Sequence, residues 1–308
     1  MKCIPEVSCQ KQTTPSQQYF GHNKHTGSSR CAVIRHYLCS FVFKLISSMS
    51  DFTNTSEYEE KFDPRLYLET YFHLGSGSLA DDFLRFVLEN FNNTFKSGAV
   101  KGCKLIDIGT APSIYQLLSA CETFDDITVT WHTKRELQEL QKWLNNEPDA
   151  FDWSSIIKHV CEIEGNRMGQ KEKEEKLREK IKQVLMCDVS KNNPLAPHEV
   201  PGADCLTTTV CLEAACRSYD SYATALKNLS HLLKPKGTLL MAGDLGANYY
   251  EVGSNKVFSL PVNEKFLKKA ISESGYEIIQ LVSFGKPEDA EFGTSDYEGF
   301  YFVHAQKI

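Results

Sequence analysis

The chain has no apolar run long enough to cross a bilayer. The one apolar stretch of the first 48 or so residues, Tyr37 to Ile46, is about ten residues and is interrupted by Lys44. That stretch also lies too far from the first residue, without a clear small-residue cleavage site, to read as a signal peptide. Excess basic charge is missing too: the net charge is −6 and the pI is near 5.9. With no basic stripe to neutralise phosphates, nucleic acid is not an expected partner, and acidic small molecules are not favoured either. There is no Cys-x-x-Cys pair and no Cys/His cluster with zinc spacing, so no metal site is expected. The 11 cysteines are odd in number, and several sit inside apolar runs such as Val160-Cys161 and Cys205-Leu206. They read as buried free thiols in a reducing, cytoplasmic setting, with Cys211 and Cys216 as packing residues.

A composition of 41% hydrophobic and 24% charged residues over 308 positions fits one α/β domain of about 250 residues with an appendage. Residues 1 to about 48 are polar and rich in Gln, Ser, Thr and His, and are expected to be a disordered extension. A different sequence character begins at Met49, so the functional protein is expected to start in effect there and to run from 49 to 308.

Asp63-Pro64 is an N-cap followed by proline at the first helical position, and predicts a helix from Arg65 to Phe72. A second helix is predicted over Leu79 to Phe95, ahead of a strand at Leu105. Strands and helices then alternate: strand Ile127 to Trp131, helix Lys134 to Leu144, strands Val184 to Asp188 and Ala203 to Val210, helix Tyr219 to Leu233 and strand Thr238 to Gly243. Helix Glu264 to Ser274 and strands Glu277 to Phe284 and Gly299 to Gln306 complete the series. This alternation predicts a largely parallel sheet covered on both faces. An insertion at about 149 to 183 ends in a charged run in which Leu177, Ile181 and Val184 recur at helical spacing, predicting an amphipathic helix with its charges in solvent.

The segment Lys104 to Tyr115 carries the first chemical signal. Leu105, Ile106 and Ile108 read as a buried strand, Gly109 to Pro112 as a tight turn, and Ile114, Leu117 and Leu118 as the inner face of a following helix. Such a strand and turn form the front edge of a cofactor-binding α/β unit, although the same pattern also occurs as plain structure. The turn is not G-x-G-x-x-G. Without the glycines that flank a pyrophosphate it suits a cofactor lacking phosphates, such as S-adenosylmethionine, and disfavours a nicotinamide-dinucleotide dehydrogenase.

Five segments together resemble a known family. They are Asp63-Pro64-Arg65-Leu66-Tyr67-Leu68-Glu69-Thr70-Tyr71, Leu105-Ile106-Asp107-Ile108-Gly109, Ile114-Tyr115-Gln116-Leu117-Leu118-Ser119-Ala120-Cys121, Glu147-Pro148-Asp149-Ala150-Phe151-Asp152-Trp153-Ser154 and Leu232-Leu233-Lys234-Pro235. They are similar to the small-molecule N-methyltransferases that act on nicotinamide, phenylethanolamine and indolethylamine, with the nicotinamide-acting branch nearest. The resemblance covers nearly everything after Met49. It implies an α/β fold of the seven-stranded class I S-adenosylmethionine-dependent methyltransferase (Rossmann-like) type, with S-adenosyl-L-methionine bound at the carboxyl ends of the first strands. A monomer acting on a small pyridine or amine, away from membranes, is expected.

Carried over residue by residue, the resemblance implies that Tyr67 closes over the cofactor. Gly109 and Thr110 would lie beneath its methionine portion, and Tyr115 would add a contact. Asp188 and Val189 would read the adenine, by a carboxylate and a backbone N–H, while Thr209 would lie beside the sulfonium. At Asp188 a strand-end turn residue is the plainer alternative. Ala111 stands where members often have a second glycine, and Phe72 where the nicotinamide-acting members have a tyrosine, so one hydroxyl contact is lost. Trp131 stands where the family ends its second strand with an acid that takes both ribose hydroxyls, a loss of about 1.5–3 kcal/mol in cofactor binding. Glu136 is a candidate replacement, although Thr133-Lys134-Arg135-Glu136 is also a capping box in which it turns back to the helix start.

At the acceptor end, Gly243 matches an aspartate that accepts from the carboxamide of nicotinamide, with Asp244 adjacent, so a one-residue shift would restore the carboxylate. Ser259 matches a serine that holds the same amide, Glu213 an acid that faces the substrate amine in the phenylethanolamine enzyme, and Asp296 is a further candidate. Loop, helix-start and hairpin acids are the plainer alternatives for Asp244, Glu213 and Asp296. Glu213 and Asp244 are therefore the candidate catalytic acids, with Tyr71, Asp244 and Ser259 at the acceptor. Two functions stay open: an active N-methyltransferase, or a methyltransferase-fold binding or regulatory protein whose cofactor site Trp131 has impaired.

Overall fold

The computed structural model describes residues 52–53, 55–75, 79–286 and 293–308. The expected extension over residues 1 to 48 therefore lies outside the described residues. A short strand β1 (Phe52–Thr53) is followed by helices α1 (Thr55–Lys61), α2 (Pro64–Tyr71) and α3 (Leu79–Lys96). Asp63 caps α2 as the sequence predicts, accepting from the Arg65 and Leu66 amides at 3.0 and 3.1 Å.

Strand β2 (Lys104–Ile108) leads through the glycine turn to two short 3₁₀ segments, Tyr115–Leu117 and Ala120–Glu122, where a full helix is predicted. Ile114, Leu117 and Leu118 are buried as expected, but burial on both sides of the segment replaces the one-faced packing of an amphipathic helix. Strand β3 (Asp126–Trp131), α4 (Lys134–Leu144), α5 (Ser154–Ile163), α6 (Gln170–Lys180) and β4 (Ile181–Met186) follow. Here the predicted helical repeat breaks down: Ile181 and Val184 belong to β4 and pair with Ile127 and Val129 of β3. The apolar spacing of three and four residues is accidental once the chain enters the sheet.

Strand β5 (Ala203–Thr209), α7 (Leu212–Ala215), α8 (Tyr219–Ser230), β6 (Leu233–Leu245), a hairpin of β7 (Tyr249–Val252) and β8 (Asn255–Phe258), α9 (Glu264–Glu273), β9 (Tyr276–Gly285) and β10 (Gly299–Lys307) complete the order. The main sheet has seven strands in the order β4-β3-β2-β5-β6-β10-β9, parallel through β6 and antiparallel at β10 and β9. Successive crossovers leave β2 in opposite directions, toward β3 and toward β5, which opens a crevice at the carboxyl ends of those strands. Two large apolar cores cover the two faces, one containing Leu105, Tyr115 and Phe72, the other Ile106, Tyr222 and Tyr301. A separate three-stranded sheet, β1-β8-β7, was not anticipated, although Gly253-Ser254 between alternating residues is a two-residue hairpin signal. No helix among the described residues is long and apolar enough to cross a membrane.

The charged run of the insertion has one inward member. Lys173 is fully buried on α6 and its ammonium contacts Glu122 at 2.6 Å and also Glu164, clamping α6 to the second 3₁₀ segment and to α5. Removing the ammonium leaves the largely buried Glu164 carboxylate without its cation, while Glu122 keeps Lys176 at 2.7 Å. Lys173→Met is expected to lower unfolding stability by about 3 kcal/mol, read from urea denaturation, whereas the same change at exposed Lys171 is expected to be neutral within about 0.5 kcal/mol.

Candidate active site

The glycine turn is stitched to the end of β3. Gly109 N–H donates to Thr130 Oγ1 at 2.9 Å, Ala111 N–H to the Thr130 carbonyl at 3.1 Å, and Thr130 N–H to Thr110 Oγ1 at 3.2 Å. Beneath them lies Asp107, buried with no cation beside it. Its carboxylate accepts from the Thr110 and Thr207 hydroxyls and from Gln116 Nε2 at 3.0 Å, and burial pushes its pKa up to about 6. Two turn amides are thus committed to Thr130, so the turn offers no cradle of free N–H groups for a phosphate.

Above the turn is a cavity of about 410 Å³ at the carboxyl ends of β2, β3 and β5. Its floor is Gly109, Ala111 and Thr209, one wall is Trp131, His132 and Glu136, another is Asp188 and Val189, and Tyr58, Phe62, Tyr67 and Tyr250 close it. Gly109 has φ 75°, and a Cβ there would lie 2.4 Å from Cys211 Sγ, so only glycine fits the floor. The Tyr115 hydroxyl is buried behind this floor, beside Thr209, and burial raises its pKa. These features fit S-adenosylmethionine: a phosphate-free floor, carboxylates for adenosine hydroxyl and amino groups, and aromatic rings around a sulfonium.

Most residues expected at the cofactor line this cavity: Tyr67, Gly109, Glu136, Asp188, Val189 and Thr209. Thr110 and Tyr115 stand behind it, fully buried, and Phe72 is one layer further, packed at a tilt between Tyr115 and Trp153 with ring centroids 5.2 and 5.4 Å away. Glu136 completes the capping box, with Oε2 accepting from the Thr133 and His132 amides at 2.7 and 3.3 Å. Its Oε1 accepts from Tyr58 Oη at 2.8 Å. Burial raises the Glu136 carboxyl, outweighing these donors. At Asp188, burial is outweighed by Ser190 and Lys191, which hold the carboxylate below its usual range. Ser190 donates its amide at 3.1 Å and its hydroxyl at 2.6 Å.

The acceptor-end residues fall in three places. Strand β6 pairs with β10 without a slip from Thr238 to Leu245, so Gly243 and Asp244 point to opposite faces, and no shift puts Asp244 in the place of Gly243. The space beside Gly243 is filled: a Cβ there would meet Glu213 Oε1 at 2.8 Å and the Tyr301 ring at 2.9 Å. Glu213 itself is buried, accepting from the Tyr301 hydroxyl and from Tyr222 Oη at 3.3 Å, and burial raises its pKa. Asp244 faces the side occupied by Tyr67, Tyr71 and Tyr115, and burial, then the charges of Glu213 and Asp296, push it up to about 7. The Tyr71 hydroxyl is held by the Glu251 backbone, donating to its carbonyl at 2.8 Å, and Ser259 is buried. Asp296 is a loop anchor, accepting from the Asn248 and Tyr249 amides at 2.8 and 3.2 Å. Sequence reasoning missed Tyr58 and Tyr250, which reach the cavity only through tertiary packing.

Fold and cavity define a methyltransferase of the Rossmann-like class. Residues 50–308 match the model of the NNMT/PNMT/TEMT family. Human nicotinamide N-methyltransferase is 48% identical over 84% of this chain and 98% of its own length. Mouse indolethylamine N-methyltransferase is 44% identical, covering 82% and 95%, and human phenylethanolamine N-methyltransferase 38%, covering 81% and 90%. The chain belongs to this family, and S-adenosylmethionine is its cofactor.

The floor yields a direct test. Gly109→Ala is expected to weaken S-adenosylmethionine binding about tenfold or more in a calorimetric titration. Adding Cys211→Ala is expected not to restore it, because the residue 211 Cβ would still lie 2.7 Å from the new methyl.

Proposed function

We propose that this chain transfers a methyl group to the nitrogen of a small pyridine such as nicotinamide, or of a small amine. The observation that carries the reading is the joining, in one cavity, of a phosphate-free glycine floor, Thr209 and a tyrosine lid. The names of the most similar relatives support the acceptor class. S-Adenosylmethionine, when bound, supplies an electrophilic methyl on a sulfonium.

The chain's own work is positioning and exclusion of water. Tyr67, which touches Phe62, Tyr71, Phe72 and Tyr250, closes the site with aromatic faces that favour a cation. In-line displacement needs the acceptor nitrogen held about 3–3.5 Å from the methyl carbon, and a lid that fixes the acceptor provides this. Asp244 is the proposed acceptor-binding carboxylate, able to take a hydrogen bond from a carboxamide or a proton from an amine. Glu213 acts one step back: its carboxylate fixes Tyr301, and its carbonyl accepts from Leu260 N–H at 2.8 Å, which sets the position of Ser259. A monomeric, cytoplasmic enzyme without nucleic-acid partners is part of the same proposal. The second reading, a binding module, rests on Trp131 alone.

The experiment is titration of the purified chain with S-adenosylmethionine, followed by methyl transfer to nicotinamide, tryptamine and phenylethanolamine. Binding on the order of micromolar with turnover of one acceptor supports the enzyme, and no binding up to about millimolar cofactor sinks it. Asp244 adds a pH signature. Its ionised carboxylate is the stronger acceptor and the only form that can take a proton, so kcat/KM for the acceptor is expected to rise as pH rises through about 7. In Asp244→Asn that limb is expected to vanish, with kcat/KM about ten- to a hundredfold lower.

A further inference from the structure

We infer that the acceptor of the cofactor ribose has moved in this chain from the end of β3 to a composite of Glu136 and Tyr58, an inference that rests on the cofactor site described above. β3 ends in Trp131, whose indole can donate one hydrogen bond and accept none, so it cannot receive a vicinal diol. Two carboxylates line the cavity, Glu136 and Asp188. Asp188 stands in the other wall, away from the end of β3, with Oδ1 taking both Ser190 donors and Oδ2 facing Lys191 at 3.3 Å. Glu136 stands in the same wall as Trp131 and is held differently. Its Oε2 is fixed by two backbone amides, so the carboxylate cannot swing, while Oε1 takes a single donor, Tyr58. A carboxylate oxygen has two lone pairs, which leaves Oε1 one site for a further donor.

Tyr58 completes the pair. Having donated to Glu136, its oxygen accepts from the neighbouring Tyr250 hydroxyl and keeps one further acceptor site. The two oxygens are 2.8 Å apart, an acceptor spacing that a vicinal diol can bridge, one hydroxyl to each. The composite joins elements from different parts of the chain. Tyr58 lies on α1, stacked on Phe62 at 4.6 Å, and Phe62 in turn touches Tyr67, so ribose recognition is built partly from the lid. Where a strand-end aspartate would present both acceptors from the rigid sheet, this chain presents one from a capped helix and one from the cover. Tyr58 is thus a positioning residue for the carboxylate and an acceptor in its own right.

The test is calorimetric titration of the full chain with S-adenosylhomocysteine and with its 2′-deoxy and 3′-deoxy analogues. Glu136→Gln retains an oxygen for the Thr133 amide, and Tyr58→Phe retains the ring, so both variants keep the packing; thermal unfolding without ligand checks this. Glu136→Gln is expected to lower affinity for S-adenosylhomocysteine about tenfold and Tyr58→Phe about threefold to tenfold. Each loss is expected to shrink to about twofold or less on the one analogue lacking the hydroxyl that residue receives. Trp131→Asp is expected to restore affinity in the Glu136→Gln background. The inference is overturned if both variants bind S-adenosylhomocysteine within about twofold of wild type, or if they weaken all three ligands equally, as a purely structural role would. Absence of binding by the wild-type chain would overturn the cofactor reading itself, a result distinct from either.

Discussion

Asp107 is a carboxylate sealed inside the sheet without a cation, and the cofactor end of the molecule is organised around satisfying it. Burying a charge without a partner is costly, so its two oxygens are met by the Thr110 and Thr207 hydroxyls and the Gln116 amide. Those three donors come from the glycine turn, the neighbouring strand β5 and the first 3₁₀ segment. One acceptor thereby fixes the relative positions of three pieces of backbone. The turn cannot drift from the sheet while the carboxylate needs its donors, and Thr130 locks its other side.

That arrangement determines what the crevice can hold. A dinucleotide site keeps its turn amides free for phosphate, whereas here Gly109 and Ala111 donate to Thr130. The floor is left smooth and uncharged, with Thr209 as a polar feature. Charged groups line the cavity elsewhere, at Glu136, Asp188 and Arg217, with a cover of tyrosines. Such a site favours a cofactor that carries its own positive charge and no phosphate.

The acceptor end follows from strand geometry. Because side chains alternate across β6, the one-residue difference between Gly243 and Asp244 is a difference of face. Glu213, buried with Tyr222 and Tyr301, occupies the space that a side chain at residue 243 would need. The carboxylate on the other face, Asp244, is the one near Tyr67 and Tyr115. Two acids that look equivalent in sequence therefore lie in different surroundings, Glu213 enclosed by Tyr222 and Tyr301 and Asp244 on the other face of β6.

What the sequence by itself determined was local. The Asp63 cap, the Thr133–Glu136 capping box, the buried strand before Gly109 and the seven strands of the main sheet in chain order were legible, because each depends on hydrogen bonds or periodicity within a few residues. The family segments were likewise readable as short strings. The sequence misled where periodicity is ambiguous, as at Ile181 and Val184, which satisfy a helical repeat yet enter a strand by pairing with β3. Tertiary structure alone decided the face of Asp244, the enclosure of Glu213 by Tyr222 and Tyr301, and the meeting of Tyr58 with Glu136 across 78 positions of chain. Contacts of that kind depend on which elements share a face once the sheet is assembled, and no local propensity records that.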